Sequence, residues 1–191
     1  MAKVHRHCHP EAESFHIADI RFRRAVVAQP TMQFSNMSAY FAFRHYDIAA
    51  PVFFSCLRYF FNIRLTLAEA ERLKPLETIV GRQIAGINDL RSWSKENATF
   101  QAAMASGRGP RAVCNAIYVL CNETSIDEGS AQAIMEQMVA AWERRCGDII
   151  AAQSRAEHSP EALAYVQGLG SIMAGHKSWI ARSRRYAGLD L

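Results

Sequence analysis

The chain has 191 residues and a formal charge of +4; half of its residues are hydrophobic and 21% are charged. This is ordinary globular composition, with enough apolar sequence to bury a real core. The mild charge excess suits an anionic small molecule as well as a nucleic acid and decides neither. The most apolar stretch, residues 49–57, runs into Arg58 and falls short of the ~20 residues a membrane span needs. The five cysteines are widely spaced, form no CxxC pair and follow no apolar leader, which points to reduced thiols and a cytoplasmic protein.

Residues 1–18 are polar and rich in histidine, without a period, and are expected to form a polar N-terminal tail. His5, His7, Cys8 and His9 match no recognised zinc spacing. From Ile20 the pattern turns helical, so the folded region is expected to span residues 19–191. Asn36 or Ser38 can cap a helix through Tyr40, Arg44 and Asp47. Pro51 restarts or kinks the chain ahead of a very apolar helix holding Phe53, Phe54 and Phe60. Thr66 and Glu69 form a capping-box pattern. Pro75 is expected to end that helix and open a long one from about Leu76 to Ala103. Ser106-Gly107-Arg108-Gly109-Pro110 is the strongest loop signal, and helices follow at about 111–122, 127–153 and 160–183. No segment reads as a strand, so the expected fold is an all-α helical bundle.

The chemistry concentrates on the long helix, in Asn88-Asp89-Leu90-Arg91-Ser92-Trp93-Ser94-Lys95-Glu96. Positions i, i+4 and i+8 drift by only about 40° per step, which puts Asn88, Ser92 and Glu96 on one face over ~12 Å. Their amide, hydroxyl and carboxylate oxygens are hard donors suited to Mg²⁺, and Lys95 stands nearby for an anion bridged to the metal. By spacing alone, a solvent-facing polar stripe is the better reading.

This nonapeptide resembles the second metal motif of class I terpene synthases, N-D-x-x-S-x-x-x-E with Lys before Glu. Upstream, Tyr40-Phe41-Ala42-Phe43-Arg44-His45-Tyr46-Asp47 resembles the family's Y-x-x-x-R-x-x-D segment. The glycine usual at the following position is replaced by Ile48. Near the C-terminus, Trp179 followed by Arg185-Tyr186 resembles the family's cavity tryptophan and Arg-Tyr pair, and Val113 to Leu120 resembles the helix after the metal motif, with Asn115 near the cavity. Taken together these segments look most like the C-terminal half of the cyclase domain of fungal chimeric terpene synthases.

The resemblance implies a cyclase that ionises a prenyl diphosphate of the geranylgeranyl or farnesyl class with Mg²⁺. It assigns Asn88, Ser92 and Glu96 as metal ligands and Arg44, Lys95, Arg185 and Tyr186 as diphosphate contacts. Asp47 would act as the linker acid, while Trp179, with Phe54, would face the carbocation. The family's aspartate-rich motif has no counterpart: the sequence contains no Asp-Asp pair. The expected partner is therefore a missing N-terminal cyclase half or a second copy in a homo-oligomer. The alternative is an inactive remnant that binds prenyl diphosphate or a partner. The runs Arg21-Phe22-Arg23-Arg24 and Arg182 to Arg185 are too short to argue for nucleic acid.

Overall fold

The computed structural model describes residues 10–28, 33–107, 112–153, 159–184 and 186. Among them every regular element is helical: α1 (Pro10–Ala28), α2 (Met37–Asp47), α3 (Ala50–Phe60), α4 (Leu67–Ala105), α5 (Ala116–Thr124), α6 (Glu128–Gln153) and α7 (Pro160–Arg182). The all-α expectation is met, and no described helix is long and apolar enough to cross a membrane. His5, His7, Cys8 and His9 lie outside the described residues.

Besides α5, which starts at Ala116 behind its Asn115 cap and not near residue 111, two boundaries differ from the sequence reading. The first is α1, which begins at Pro10, inside the stretch expected to be a tail. It packs against α2 and α3 and buries Ala18 and Ala25, two turns apart on one face. Small side chains make a close helix contact without the apolar period that announces one. The second is Pro75, which lies within α4 and ends nothing. Proline withholds the N–H that the Glu71 carbonyl would have received, but both residues are on the exposed side, where water satisfies an acceptor. The opposite side carries Leu73, Leu76, Val80 and Ile84, all buried in one cluster, and this holds the helix continuous.

At 39 residues, α4 is about 58 Å long and touches α2, α3, α5, α6 and α7. Its first half packs through Leu73 to Ile84 against Ala162, Tyr165, Val166 and Leu169 of α7. Its middle packs through Ala85, Ile87 and Trp93 against α2, α5 and α6. Gly86 permits the close approach to α6: a Cβ there would stand 2.8 Å from Val139 Cγ2 and 2.9 Å from Met135 Cε. Gly168 similarly admits α3, because its Cβ would meet Leu57 Cδ2 at 2.6 Å.

Local capping sets the helix starts. Asn36 Oδ1 accepts the Ala39 N–H at 2.8 Å, and α2 ends at Asp47. Ile48 has an ordinary backbone (φ −81°), so replacing glycine there costs no strain. The break between α2 and α3 falls one residue later, at Ala49 in the left-handed region (φ 62°).

Thr66 and Glu69 form the full capping box of α4. Glu69 Oε2 accepts the Thr66 N–H at 2.8 Å and its hydroxyl at 2.7 Å. Glu69 Oε1 accepts the hydroxyl of Ser159 at 2.5 Å, and Ser159 Oγ in turn accepts the Ala162 N–H that opens α7. One carboxylate thus ties together the starts of α4 and α7, the two helices that frame the cavity described below. These hydrogen bonds, Ser159 first and Thr66 next, hold the Glu69 carboxyl down at about 2. A depressed folded-state value stabilises the fold above the unfolded value, near 4.5, and that contribution is lost as pH falls toward 2. Urea unfolding from pH 6 to pH 2.5 is expected to show wild-type stability falling more steeply below pH 4.5 than that of Glu69→Gln. Parallel profiles for the two proteins would remove Glu69 as a contributor.

Candidate functional site

Arg44 sits in the last turn of α2 with its side chain buried against α4. It forms an ion pair with Asp47 one turn along its own helix. Its Nη2 donates to Asn88 Oδ1 at 2.9 Å and to Asp89 Oδ1 at 2.7 Å. Tyr40, one turn earlier on α2, donates its hydroxyl to Asp89 Oδ2. The same oxygen accepts the Ala116 N–H at the start of α5, at 3.1 Å. Asp89 is fully buried, so four contacts from α2 and α5 converge on α4 at Asn88 and Asp89. Burial pushes the Asp89 carboxyl up, opposed by Arg44 and the Tyr40 hydroxyl. Burial by itself would lower the Arg44 guanidinium, but Asp89, Tyr40 and Asp47 hold it well above the ordinary arginine value.

The row Asn88, Ser92, Glu96 falls on α4 as the spacing requires. Asn88 is 8% exposed and held at both ends. Its Oδ1 receives Arg44, and its Nδ2 donates to the Tyr186 hydroxyl at 2.7 Å. A guanidinium only donates, which fixes the amide orientation. Ser92 is buried, and its hydroxyl has no hydrogen-bond partner among the described residues. Glu96 is half-buried, with Oε2 accepting Asn115 Nδ2 at 3.0 Å. Lys95 is exposed on the same helix. Trp93 turns away, donating its indole N–H to Glu128 Oε2 at 3.1 Å, while Asn97 donates to Glu128 Oε1.

Beside Asn88 opens an apolar cavity of about 540 Å³ lined by Ile48, Phe53, Ile84, Trp179 and Tyr186, among others. Trp179 is half exposed, and its ring meets Tyr186 edge-on at 5.9 Å between centroids. Phe54, expected among the cavity aromatics, points elsewhere: it is 2% exposed and belongs to the α3, α4 and α7 core. Its neighbour Phe53, turned by about 100° on the helix, lines the cavity instead. Arg185 lies outside the described residues. The structure therefore brings Arg44, Asp47, Asn88 and Tyr186 together, and sets Trp179 against Tyr186 on the cavity wall.

Three residues without an assigned role in the sequence prove central to this arrangement: Tyr40, Asp89 and Asn115. Asp89 carried a signal, because its i−4 and i+4 neighbours on the same side of the helix are the apolar Ala85 and Trp93. A charge on that side needs an internal partner.

Among the described residues, no group of three His, Cys, Asp or Glu side chains is placed to hold a metal. Any cation here relies on the mixed row of amide, hydroxyl and carboxylate. The row fits a hard cation: Ser92 Oγ is an orphaned buried oxygen, and one Glu96 oxygen remains beyond its bond to Asn115. Asn88 Oδ1 retains a second lone pair beside Arg44.

Residues 24–145 match the protein family described as "Terpene synthase family 2, C-terminal metal binding". Over 167 residues the chain is 25% identical to aristolochene synthase of Penicillium roqueforti, covering 86% of this chain and 48% of that protein. It is 24% identical over 168 residues to aristolochene synthase of Aspergillus terreus, covering 87% of this chain and 51% of the other. It is also 26% identical over 161 residues to a cyclopiane-type diterpene synthase of Penicillium chrysogenum, covering 84% of this chain and 20% of that protein. The crystal structure of the P. roqueforti aristolochene synthase has the same fold, with a TM-score of 0.73 at 23% identity; the match covers 91% of this chain and 56% of that one. The chain spans about half the length of the aristolochene synthases it matches.

The arginine hub generates a stability prediction. Arg44→Ala leaves Asp47 and Asp89 without their buried cation, and urea unfolding is expected to show a loss of about 3–5 kcal/mol. Arg44→Lys, with one compact ammonium for three partners, is expected to recover only part of it. A loss below about 1 kcal/mol in Arg44→Ala would show that the hub does not hold α2 to α4.

Proposed function

Because the chain belongs to the class I terpene synthases, in terpene synthase family 2, we propose that it is a terpene cyclase segment. It would act on a prenyl diphosphate of the farnesyl or geranylgeranyl class, with Mg²⁺, in the cytoplasm. The observation that carries this reading is the position of Asn88, on a row of hard oxygen donors at the edge of an apolar cavity with aromatic walls. A prenyl diphosphate has the matching shape, with one doubly charged end and one hydrocarbon end.

In this reading Asn88, Ser92 and Glu96 hold Mg²⁺, which when bound neutralises the diphosphate and eases its departure as a leaving group. Arg44 orients Asn88 and contributes a permanent positive charge beneath the anion. Tyr186, whose hydroxyl accepts from the Asn88 amide, donates its own O–H to the diphosphate, and Lys95 and Arg185 reach it from α4 and the C-terminal segment. Asp47 keeps the Arg44 guanidinium in register. The hydrocarbon lies against Phe53 and Trp179, whose ring face stabilises positive charge that develops there, while Ile48, Ile84 and Ile172 exclude water.

One observation supports a second reading, binding without turnover. These 191 residues contain no Asp-Asp pair, so they hold the anion from the α4 side, and ionisation needs charge stabilisation around the whole leaving group.

Purified protein incubated with C10 to C25 prenyl diphosphates and Mg²⁺, with products followed by gas chromatography, separates the two. The cyclase reading expects a hydrocarbon or alcohol product that disappears with EDTA and falls by at least about 100-fold in Asn88→Ala. Mg²⁺-dependent binding of farnesyl diphosphate by calorimetry, without product, establishes the second reading. Neither product nor Mg²⁺-dependent binding would overturn both.

A further inference from the structure

Asn115 stands out among the buried polar residues because it has no place in the ligand row yet touches it. It is fully buried at the N-cap of α5. Its Oδ1 accepts the Ile117 N–H at 2.9 Å, closing the first turn of that helix. Its Nδ2 donates twice to α4, to the Asp89 carbonyl at 2.9 Å and to Glu96 Oε2 at 3.0 Å. These three bonds admit only one amide orientation: a flip would set nitrogen against the Ile117 N–H and oxygen against two acceptors. Capping α5 and gripping Glu96 are therefore one act of one side chain.

We propose that Asn115 is a positioning residue that fixes the Glu96 carboxylate for a divalent cation, an inference that rests on the metal-site reading above. The row is then set from both ends. Arg44 and Tyr186 lock the Asn88 amide at one end, and Asn115 locks one oxygen of Glu96 at the other, leaving Oε1 open. Ser92 lies between them with its hydroxyl unengaged. A carboxylate held by a buried amide loses rotamer freedom before the cation arrives, which removes an ordering cost from binding. The anchor also spans elements: α5 is tied to α4 through Asn115 and through the Ala116 N–H on Asp89. The grip on Glu96 therefore rests on the same buried hub that holds Arg44.

Asn115→Ser separates the two duties. Serine keeps an N-cap oxygen for α5 but cannot reach Glu96. In the full chain with inorganic pyrophosphate, Mn²⁺ affinity measured by electron paramagnetic resonance is expected to fall by about 10-fold or more in Asn115→Ser. In a Glu96→Gln background the same substitution is expected to change affinity little further, because the carboxylate it positions is gone. A purely structural role would weaken binding equally in both backgrounds, and that result overturns the proposal. So does unchanged Mn²⁺ affinity in Asn115→Ser while wild type binds. If wild type binds no Mn²⁺ with pyrophosphate, the metal-site reading fails and takes the proposal with it. Urea unfolding without metal supplies the independent arm. The costs of Asn115→Ser and Glu96→Ala are expected to be non-additive, and additive costs would show that the two side chains do not interact.

Discussion

The structure depends on one buried charge contact, Arg44 of α2 against Asp89 of α4. Removing a guanidinium and a carboxylate from water carries a large penalty, recovered only when both are paired and their remaining hydrogen-bonding capacity is used. Here most of it is used, with Arg44 Nε left without a partner among the described residues. Asp89 receives Arg44, Tyr40 and the Ala116 N–H, while Arg44 also reaches Asp47 and Asn88. An apolar pair of similar volume would hold α2 and α4 together as firmly, but it would not fix the azimuth of α4. The charged hub does, because its bonds are directional, and that azimuth decides which way Asn88, Ser92 and Glu96 face.

From that hub the site follows in two directions. Toward α5, Asp89 and Asn115 fasten the helix start that in turn grips Glu96. Toward α7, Asn88 meets Tyr186, and Tyr186 meets Trp179 at the cavity wall. The starts of α4 and α7 are joined separately by Glu69 and Ser159, so the cavity lies beside two helices tied at their starts and again through Asn88 and Tyr186. The polar row is prepared by neighbours that are not in the row, as expected where a cation must find its ligands already oriented.

Much of this was legible in the sequence, for identifiable reasons. Asn36, Thr66 with Glu69, and Pro51 are local signals whose meaning does not depend on the rest of the chain, and each marks a helix start where expected. The i, i+4, i+8 spacing is geometry, so the row was readable as well. Pro75 was misleading because its usual effect depends on which side of the helix it faces, a tertiary fact. The start of α1 was hidden because alanine contacts leave no apolar stripe. Phe53 and Phe54 could not be separated, since both are apolar and only packing decides which one lines the cavity. Asn115 read only as a polar residue near the cavity, ahead of an apolar helix. Its bond to Glu96 joins two segments separated by a loop, and no local pattern encodes such a pairing.

The central claim is that the Asn88, Ser92 and Glu96 face is one wall of a metal–diphosphate site. A crystal of the full chain grown with Mn²⁺ and inorganic pyrophosphate tests it most directly, through the anomalous signal of manganese. The account predicts a manganese peak within coordinating distance of Ser92 Oγ and the free oxygen of Glu96, with pyrophosphate on its cavity side. A peak bound elsewhere, or pyrophosphate held away from α4 with the Ser92 hydroxyl still unpartnered, would contradict it.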